Sequence, residues 1–366
     1  MKLLFPFFLA VAELTLVTSA SACPETLADL AAKHDIKMAA FTFADPGQTN
    51  PAFSNALREF NLRILPVFMK LVEPRRGEFD FSMPDAVADA APADAVFYIP
   101  QLAWNDQNPL WLATGNFSGP ELKQILIEFV STTIKHFENK YPGRVMAWEV
   151  ATEPLSWQDE PQCLSPNDPT KPCGGFWNKI GLDAGRDIYE YVRVSTQTAR
   201  AILPKGKLYI QDFGVEDLGP KANKLFQLMS QLLSEKVSLN GVGFEGHFMV
   251  EAGGAFMQVP PAEVLVKNLE RFGSLGLKTM IASVDVSILK VSANTLALQA
   301  EGYRTIVHAC LAAGSCEAFG TWGVGDKDSW IPQYFPGWGA PLLFDSDYSP
   351  KAAYEAVREE LILFRH

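Results

Sequence analysis

The sequence predicts an α/β fold, a single-domain (β/α)8 TIM barrel in which eight parallel strands alternate with about eight helices. Short β-rich runs alternate with longer segments of helical period, the pattern of a parallel α/β fold. Several of the strand runs are apolar throughout, as expected of strands buried on both faces. The 366 residues fit one barrel with loop insertions, and no repeat, low-complexity tract or linker divides them.

The predicted strands are short runs, mostly apolar, that stop at polar or turn-forming residues. In chain order they are Ile36–Phe43, Leu62–Met69, Ala95–Leu102, Arg144–Val150, Lys207–Asp212, Gly241–Phe248, Lys278–Val286 and Ala318–Val324.

The helices between these strands begin at recognisable signals. Ser118 is predicted to cap a helix that has Pro120 in its first turn and Glu121 three residues after the cap. Apolar residues then recur at helical spacing toward a core. Further helices are predicted to begin at Pro220, after Pro260-Pro261 and after Ser349-Pro350.

Composition limits the partners of the chain. Its formal net charge is −11 and its isoelectric point is near 5.0, whereas a nucleic-acid-binding protein needs clustered Lys and Arg to neutralise phosphates. We therefore expect a monomer that binds a carbohydrate or small-molecule ligand in the barrel mouth. No cofactor is predicted, and no metal, because no cluster of ligands with the required spacing is present.

The N-terminal segment resembles a signal peptide. Lys2 precedes an apolar run from Leu3 to Val17, and Ala20-Ser21-Ala22 has the small-x-small pattern of a cleavage site. The run is too short to span a bilayer. We therefore expect residues 1–22 to be removed, and residues 23–366 to form a secreted protein without a membrane anchor.

Export makes disulfides the first interpretation of the five cysteines. Cys310 and Cys316 are six residues apart, and Cys163 and Cys173 bracket a loop rich in Pro, Asp and Gly. Two local bridges are therefore predicted, with Cys23 left over. Asn116 begins a glycosylation sequon in a predicted turn, so a glycoprotein is expected.

Polar and titratable residues gather where four predicted strands end. In a parallel barrel these carboxyl ends converge at one mouth, where the chemistry of such folds is located. A single carboxylate or histidine at a strand end is as often a capping group as a functional one. The four ends are Trp148–Pro154, Gly241–Phe248, Ile281–Asp285 and Thr321–Val324.

Taken together in this order, the motifs resemble fungal members of glycoside hydrolase family 10, the retaining endo-1,4-β-xylanases. The similarity covers almost the whole mature chain, and the family's fungal disulfide matches Cys310 and Cys316. The segments that carry it are Met69-Lys70, Glu73–Phe81, Trp104, the end of the fourth strand, Leu208–Asp212, Gly241–Phe248, Thr321–Trp330 and Pro341–Tyr354.

The resemblance implies two catalytic positions, and one of them departs from the family. Glu153 stands at the position of the general acid, and its apolar strand favours the protonated form that an acid needs. Ser283 stands where the nucleophilic carboxylate belongs, and a neutral hydroxyl is a poor nucleophile without a base. In the family, the strand-six histidine, here His247, bonds both the nucleophile and the strand-seven aspartate, here Asp285.

The sugar-binding positions implied by the family are partly lost. The Asn before the acid is Thr152, the His after the strand-three Trp is Asn105, and the Gln two before His247 is Glu245. Pro66 and Val67 replace a Glu and an Asn on strand two, and Leu71 replaces a Trp. Family positions that remain outside the catalytic set are Lys70, Trp104, Trp322 and Trp330. Because each lost buried hydrogen bond costs roughly 0.5–1.5 kcal/mol, xylan binding should be poor.

Several hypotheses fit these substitutions. The chain is an inactive carbohydrate-binding or structural protein, or its cleft is an enzyme site for a less polar ligand, such as a secondary metabolite or its glycoside, with Glu153 as general acid.

Two further alternatives assign a specific catalytic mechanism to the site. Ser283, His247 and Asp285 would form a Ser-His-Asp set, although Ser is two atoms shorter than Glu and no oxyanion hole is visible. Alternatively, the chain remains an active xylanase in which Glu245 serves as a base for water with inversion. We interpret Glu245 by preference as a structural partner of Lys70 or as a capping side chain.

Overall fold

A computed structural model describes residues 25–43, 50–155, 175–254 and 256–365. Within these ranges the strands are parallel and form one closed barrel. Their bounds are β1 Lys37–Phe41, β2 Leu62–Ile64, β3 Val96–Ile99, β4 Val145–Thr152, β5 Leu208–Asp212, β6 Gly241–Phe244, β7 His247–Met249, β8 Lys278–Ser287 and β9 Cys316–Thr321. The barrel closes through the pairings β1–β9 and β6–β8, which confirms the predicted (β/α)8 fold.

Helices follow the strands on the outside of the barrel. The α-helices in the described ranges are α1 Leu27–Ala32, α2 Pro51–Leu57, α3 Met69–Val72, α4 Ser82–Asp89, α5 Leu110–Ala113, α6 Gly119–Lys140, α7 Lys179–Leu182, α8 Glu190–Ile202, α9 Pro220–Ser234, α10 Ala262–Gly273, α11 Ala293–Ala312, α12 Ile331–Tyr334 and α13 Ala352–Leu363. In the same ranges, 3₁₀ turns lie at Phe176–Asn178 and Asp326–Asp328.

The predicted helix starts are confirmed within one or two residues. Ser118 precedes α6, and its backbone N–H and its hydroxyl donate to Glu121 at 2.8 and 2.7 Å, as the capping pattern predicts. Helix α9 begins at Pro220 itself, while α10 and α13 begin just after the proline signals.

The sixth predicted strand, Gly241–Phe248, is divided in the structure into β6 and β7. Gly246 lies between them with φ +77°, a conformation that glycine adopts without steric cost. A Cβ on Gly246 would lie 3.0 Å from Val284 and 3.1 Å from Ile281 of β8, so the close approach also needs glycine. Both pieces pair with β8, and the second brings His247 opposite Asp285.

Two apolar cores lie on the two sides of the barrel wall. The larger packs the helices against the outside of the strands. The smaller is built almost wholly of strand residues from opposite sides of the barrel, among them Ile64, Tyr209, Met280 and Ala282, and fills the interior. This interior cluster forms the floor beneath the side chains at the mouth.

One of the two predicted disulfides falls within the described ranges and is confirmed. Cys310 in α11 and Cys316 at the start of β9 are bonded. Cys23, Cys163, Cys173 and the predicted signal peptide of residues 1–22 lie outside the described residues. Where the structure describes the chain, no helix is both long and apolar enough to cross a membrane.

Candidate active site

His247 is the centre of a buried hydrogen-bonded group that lies where β6 ends and β7 begins, opposite Asp285 of β8. Its Nδ1 lies 2.8 Å from Asp285 Oδ2, and its Nε2 lies 3.1 Å from Glu245 Oε2. The indole Nε1 of Trp330 also donates to Asp285 Oδ2, at 2.9 Å. All three titratable side chains are almost fully buried.

Electrostatics keep the His247 ring protonated. Burial alone would lower the pKa of His247, but the charges and hydrogen bonds of Asp285 and Glu245 outweigh it and raise the pKa well above the usual value. A protonated imidazole donates from both nitrogens, which matches one carboxylate on each side.

Ser283 lies in the same strand as Asp285, but its hydroxyl has a different hydrogen-bond partner. Its hydroxyl is 2% exposed and accepts a hydrogen bond from Gln211 Nε2 at 3.4 Å. No hydrogen bond joins Ser283 to His247 in the part of the chain that the structure describes, because His247 Nε2 is engaged by Glu245. This arrangement disfavours a Ser-His-Asp set, in which that nitrogen must accept the serine proton.

Glu153 follows β4 directly and has a strained backbone. Its φ is +48°, a left-handed conformation that is uncommon for residues other than glycine. Its N–H donates to the carbonyl oxygen of Gln211 at 2.7 Å, which fixes the turn against β5. The side chain is 8% exposed. Such strain is characteristic of positions where the fold imposes a side-chain direction for function.

Glu149, also on β4, is a buried carboxyl that was not among the predicted site residues. The hydroxyl of Tyr98 donates to its Oε2 at 2.9 Å, and the hydroxyl of Thr152 donates to its Oε1. Strand alternation would place Glu149 and Thr152 on opposite faces. A register shift between Glu149 and Ala151 brings them together, and this bulge could not be read from the sequence.

The environment of Glu149 favours its protonated form. Burial is the main cause that raises the pKa of Glu149 to about 8. The hydroxyl of Thr152 lowers this pKa, and the nearby charge of Glu245 raises it. Thr152 is therefore committed to this carboxyl, and its own side chain is 1% exposed.

The residues after β3 form another side of the mouth. Asn105 accepts a hydrogen bond from the backbone N–H of Trp177 at 3.3 Å, and the carbonyl of Trp104 accepts from the Trp177 indole at 2.9 Å. The indole nitrogen of Trp104 is buried and has no hydrogen-bond partner in the described ranges.

Lys70 lies in α3 and is exposed, and its backbone N–H donates to the carbonyl oxygen of Gln107. The partner of Glu245 that the structure shows is His247.

An aromatic wall, defined as Phe41, Phe43, Phe68 and Trp322, lies at the mouth beside β1. The rings of Phe41 and Trp322 stack with centroids 4.1 Å apart and an interplanar angle of 11°. Phe43 packs edge-on against Phe41 at 4.9 Å and is 51% exposed. The wall therefore runs from the barrel interior to solvent, and of its members only Trp322 was a predicted site residue.

The apolar residues Pro66, Val67 and Leu71 were expected to make the cleft less polar, but they do not form the apolar surface of the mouth. Val67 is fully buried in the outer core, and Pro66 is buried beside it. Leu71 packs at the edge of the interior cluster. The apolar surface of the mouth therefore comes from the aromatic wall, and the sequence pattern of strand two did not predict it.

Comparison with known proteins agrees with this geometry. Residues 26–360 match the glycosyl hydrolase family 10. The endo-1,4-β-xylanase of Agaricus bisporus is 30% identical over 287 residues, which are 78% of this chain and 78% of that protein. Endo-1,4-β-xylanase A of Phanerodontia chrysosporium is 31% identical over 78% of this chain, and the chain spans 63% of the length of that relative.

Solved structures give the same result. The crystal structure of native xylanase 10B from Thermotoga maritima superposes with a TM-score of 0.79 at 28% identity, covering 92% of this chain and 98% of that one. Xylanase 10B from Thermotoga petrophila RKU-1, solved in complex with xylobiose, has a TM-score of 0.78 at 27% identity, with coverages of 93% and 98%. The chain therefore belongs to glycosyl hydrolase family 10.

Proposed function

We propose that this family 10 protein is a glycosidase for a glycoside with an apolar aglycone, and that it is not an ordinary retaining endo-1,4-β-xylanase. The observation that carries the proposal is the buried Ser283, whose hydroxyl accepts a hydrogen bond from Gln211. The sequence resemblance implies that position 283 is the one of the family's nucleophile. Retention requires a covalent glycosyl-enzyme formed on a carboxylate, and a serine hydroxyl without a base does not supply one.

Glu153 is the proposed general acid. It lies at the end of β4, is largely shielded from water and is held by a strained backbone that fixes its direction. A positioned acid contributes typically about 10²- to 10⁴-fold to a rate. In this proposal Glu153 protonates the glycosidic oxygen as the aglycone leaves.

The preference for a less polar ligand rests on two observations. Thr152 and Asn105, at positions where the family holds sugar groups, are bonded within the protein to Glu149 and to the Trp177 backbone. The aromatic wall meanwhile presents Phe43 and the stacked pair of Phe41 and Trp322 beside the mouth. Aromatic surface of this kind binds flat apolar groups or sugar faces without needing hydroxyl partners.

The test of ligand class is thermal stabilisation by xylotetraose compared with aryl and polyketide β-glycosides at equal concentration. We expect the aryl and polyketide glycosides to raise the melting temperature more, and Trp322→Ala to remove the difference. Leu298→Ala, at an exposed apolar residue of the outer helix α11, is the matched control. Stronger stabilisation by xylotetraose would overturn the preference for an apolar aglycone.

A second candidate function is carbohydrate binding without turnover. The absence of a carboxylate at Ser283 favours it, and an active xylanase is the third alternative. The assay that separates them is release of phenolate from aryl β-glycosides by the wild type and by Glu153→Gln. Turnover lost in the variant supports the glycosidase, and no turnover by the wild type supports binding alone.

We also propose that the protein is secreted and glycosylated at Asn116, which is exposed before α6. Sequencing of the secreted protein should begin at Cys23. Treatment with an N-glycosidase should lower its mass, and Asn116→Gln should abolish that change.

A further inference from the structure

We propose that Glu245 is the second catalytic carboxylate of this site, acting as the general base that activates water for inverting hydrolysis. This inference rests on the glycosidase proposed above, with Glu153 as its acid. It assigns the role that Ser283 cannot fill to a carboxylate on the neighbouring strand segment between β6 and β7.

The first step of the argument is the contact with His247. Glu245 Oε2 accepts from His247 Nε2 at 3.1 Å, and Asp285 holds the opposite ring nitrogen at 2.8 Å. The imidazole is therefore fixed in position with a proton directed at Glu245. A hydrogen bond from a charged donor is shorter and stronger than one between neutral groups, so this contact fixes the direction of the Glu245 carboxyl.

The second step is the position of Glu245 relative to Glu153. The N–H of Glu153 donates to the Gln211 carbonyl at 2.7 Å, and the N–H of Glu245 donates to the Asp212 carbonyl at 3.1 Å. The two glutamates thus lie on opposite sides of β5 at adjacent levels. Two strand spacings of about 4.8 Å separate their backbones by roughly 9–10 Å. Inverting glycosidases hold their two carboxyl groups about 6.5–9.5 Å apart to leave room for water, and two glutamates whose backbones have this separation can place their carboxyls within that range.

The third step is that Glu245 is not used elsewhere. Its side chain is 7% exposed at the mouth and its hydrogen bond is to His247, so it forms no ion pair with Lys or Arg in the described part of the chain. Its charge raises the pKa of both Glu149 and Asp212, although burial is the main cause for each, so the carboxylate is directed into the group of polar residues at the site.

The reaction then balances without a further reagent. Glu245 takes a proton from water as the water oxygen forms a bond to the anomeric carbon. The bond from that carbon to the aglycone oxygen breaks, and Glu153 gives its proton to that oxygen. One displacement inverts the configuration of the anomeric carbon.

The experiment uses 2,4-dinitrophenyl and phenyl β-D-xylosides and β-D-glucosides with wild type, Glu245→Gln, Glu153→Gln and the control Glu317→Gln. Glu317 is a carboxylate at the opposite end of the barrel, paired with Lys207 at 2.7 Å. A dinitrophenolate leaves without protonation, so Glu153→Gln should hydrolyse the dinitrophenyl glycosides and fail on the phenyl ones. Glu245→Gln should lose about 10²- to 10⁴-fold on both, because the base acts in both reactions.

The stereochemistry gives a second readout. Proton NMR of the first sugar released by the wild type should show the α anomer. Phenyl glycoside turnover that depends on Glu153 but is unchanged in Glu245→Gln would overturn the role of Glu245 and leave the glycosidase standing. A β anomer as first product would overturn inversion, and no turnover of any glycoside by the wild type would overturn both proposals.

Discussion

The Nε2 atom of His247 lies 3.1 Å from Glu245 Oε2, so the cleft-side nitrogen of this histidine is engaged by a residue only two positions before it in the chain. Glu245 and His247 are separated by the left-handed turn at Gly246, which ends β6 and begins β7. The other nitrogen bonds Asp285 across the strand pair. A buried cation between two buried carboxylates therefore links β7 to β8, and its removal has measurable consequences.

Asp285→Asn is expected to destabilise the protein strongly. Asp285 is fully buried and accepts from both His247 and Trp330, so the variant leaves a buried imidazolium with one of its carboxylates gone. Breaking a buried ion pair from one side costs about 3–5 kcal/mol. Urea denaturation measures the change in the free energy of unfolding. Trp330→His is the comparison variant. It replaces the indole with a smaller ring that keeps an N–H, so we expect a smaller loss of stability than in Asp285→Asn.

NMR of the His247 ring separates this electrostatic role from packing alone. In Asp285→Asn the pKa of His247 should fall, because one of the charges that raise it is absent. An unchanged titration, with the protein still folded, would contradict the assignment of Asp285 as a main cause of the raised pKa.

Stability should decrease as the pH rises from about 5 to 8. Burial raises the pKa of Glu149 to about 8, and also raises the pKa values of Glu73 and Glu216 to about 7. For each carboxyl the folded-state pKa lies above the unfolded value, so between the two values the native state binds more protons than the unfolded state. Stability is then lost with increasing pH. The raised pKa of His247 acts with the same sign above pH 6.5.

Calorimetry at pH 5, 6, 7 and 8 tests this expectation. The melting temperature should fall by several degrees across the series, and Glu149→Gln should flatten the curve because a neutral amide has no proton to lose. Gln at this position still accepts the hydrogen bond that Tyr98 donates to Glu149. A melting temperature that rises toward pH 8 would show that other groups determine the pH dependence.

The disulfide between Cys310 and Cys316 should contribute modestly to stability. It closes a short loop between the last turn of α11 and the start of β9. The chain-entropy relation gives about 2 kcal/mol for a loop of this length. Cys310→Ala combined with Cys316→Ala should lower the free energy of unfolding by about that amount. The reduced wild type should match the double variant if the bridge, and not the two side chains, carries the effect.

Most of the fold was predictable because it depends on the spacing of apolar residues along the chain and on residues, such as proline, that mark the ends of helices and strands. Strand runs buried on both faces and proline-led helix starts are local signals, and the structure confirms most of them to within a few residues. The second strand was predicted to reach Met69 but ends at Ile64, and Met69 begins α3. The break at Gly246 was missed because Glu245, Gly246 and His247 were assigned to one continuous strand. The φ of +77° at Gly246 and the approach of Val284 and Ile281 to its backbone, which explain the glycine, are visible only in the structure.

Several residues that lie together at the mouth were predicted from the sequence, but their pairing was not. The residues at strand ends do gather at one mouth, yet the partner of Glu245 is His247 and the partner of Thr152 is Glu149. The latter pair depends on the β4 bulge, and the former on the turn at Gly246. Both are irregularities of strand geometry that a pattern of period two cannot represent. The aromatic wall was likewise missed, because it joins residues distant in sequence.

The last prediction is that Ser283→Glu alone will not restore retaining xylanase activity. The new carboxylate would enter the space beside Gln211 with Glu245 already bonded to His247 Nε2. Two carboxylates that share one site raise the pKa of one of them, so the introduced group would be protonated and a poor nucleophile. Combining Ser283→Glu with Glu245→Gln removes this conflict and frees the histidine proton for the new glutamate. We therefore expect measurable xylan hydrolysis in the double variant and little in either single variant.

Adding Thr152→Asn and Asn105→His to the double variant should increase xylan hydrolysis further, because misplacement of the sugar by about 1 Å can cost about 10²-fold. Reducing-sugar release from xylan, with the anomer of the first product followed by NMR, measures both rate and stereochemistry. Full activity in Ser283→Glu alone would show that Glu245 does not compete for His247. Retaining turnover by the wild type would show that the reaction needs no carboxylate at position 283.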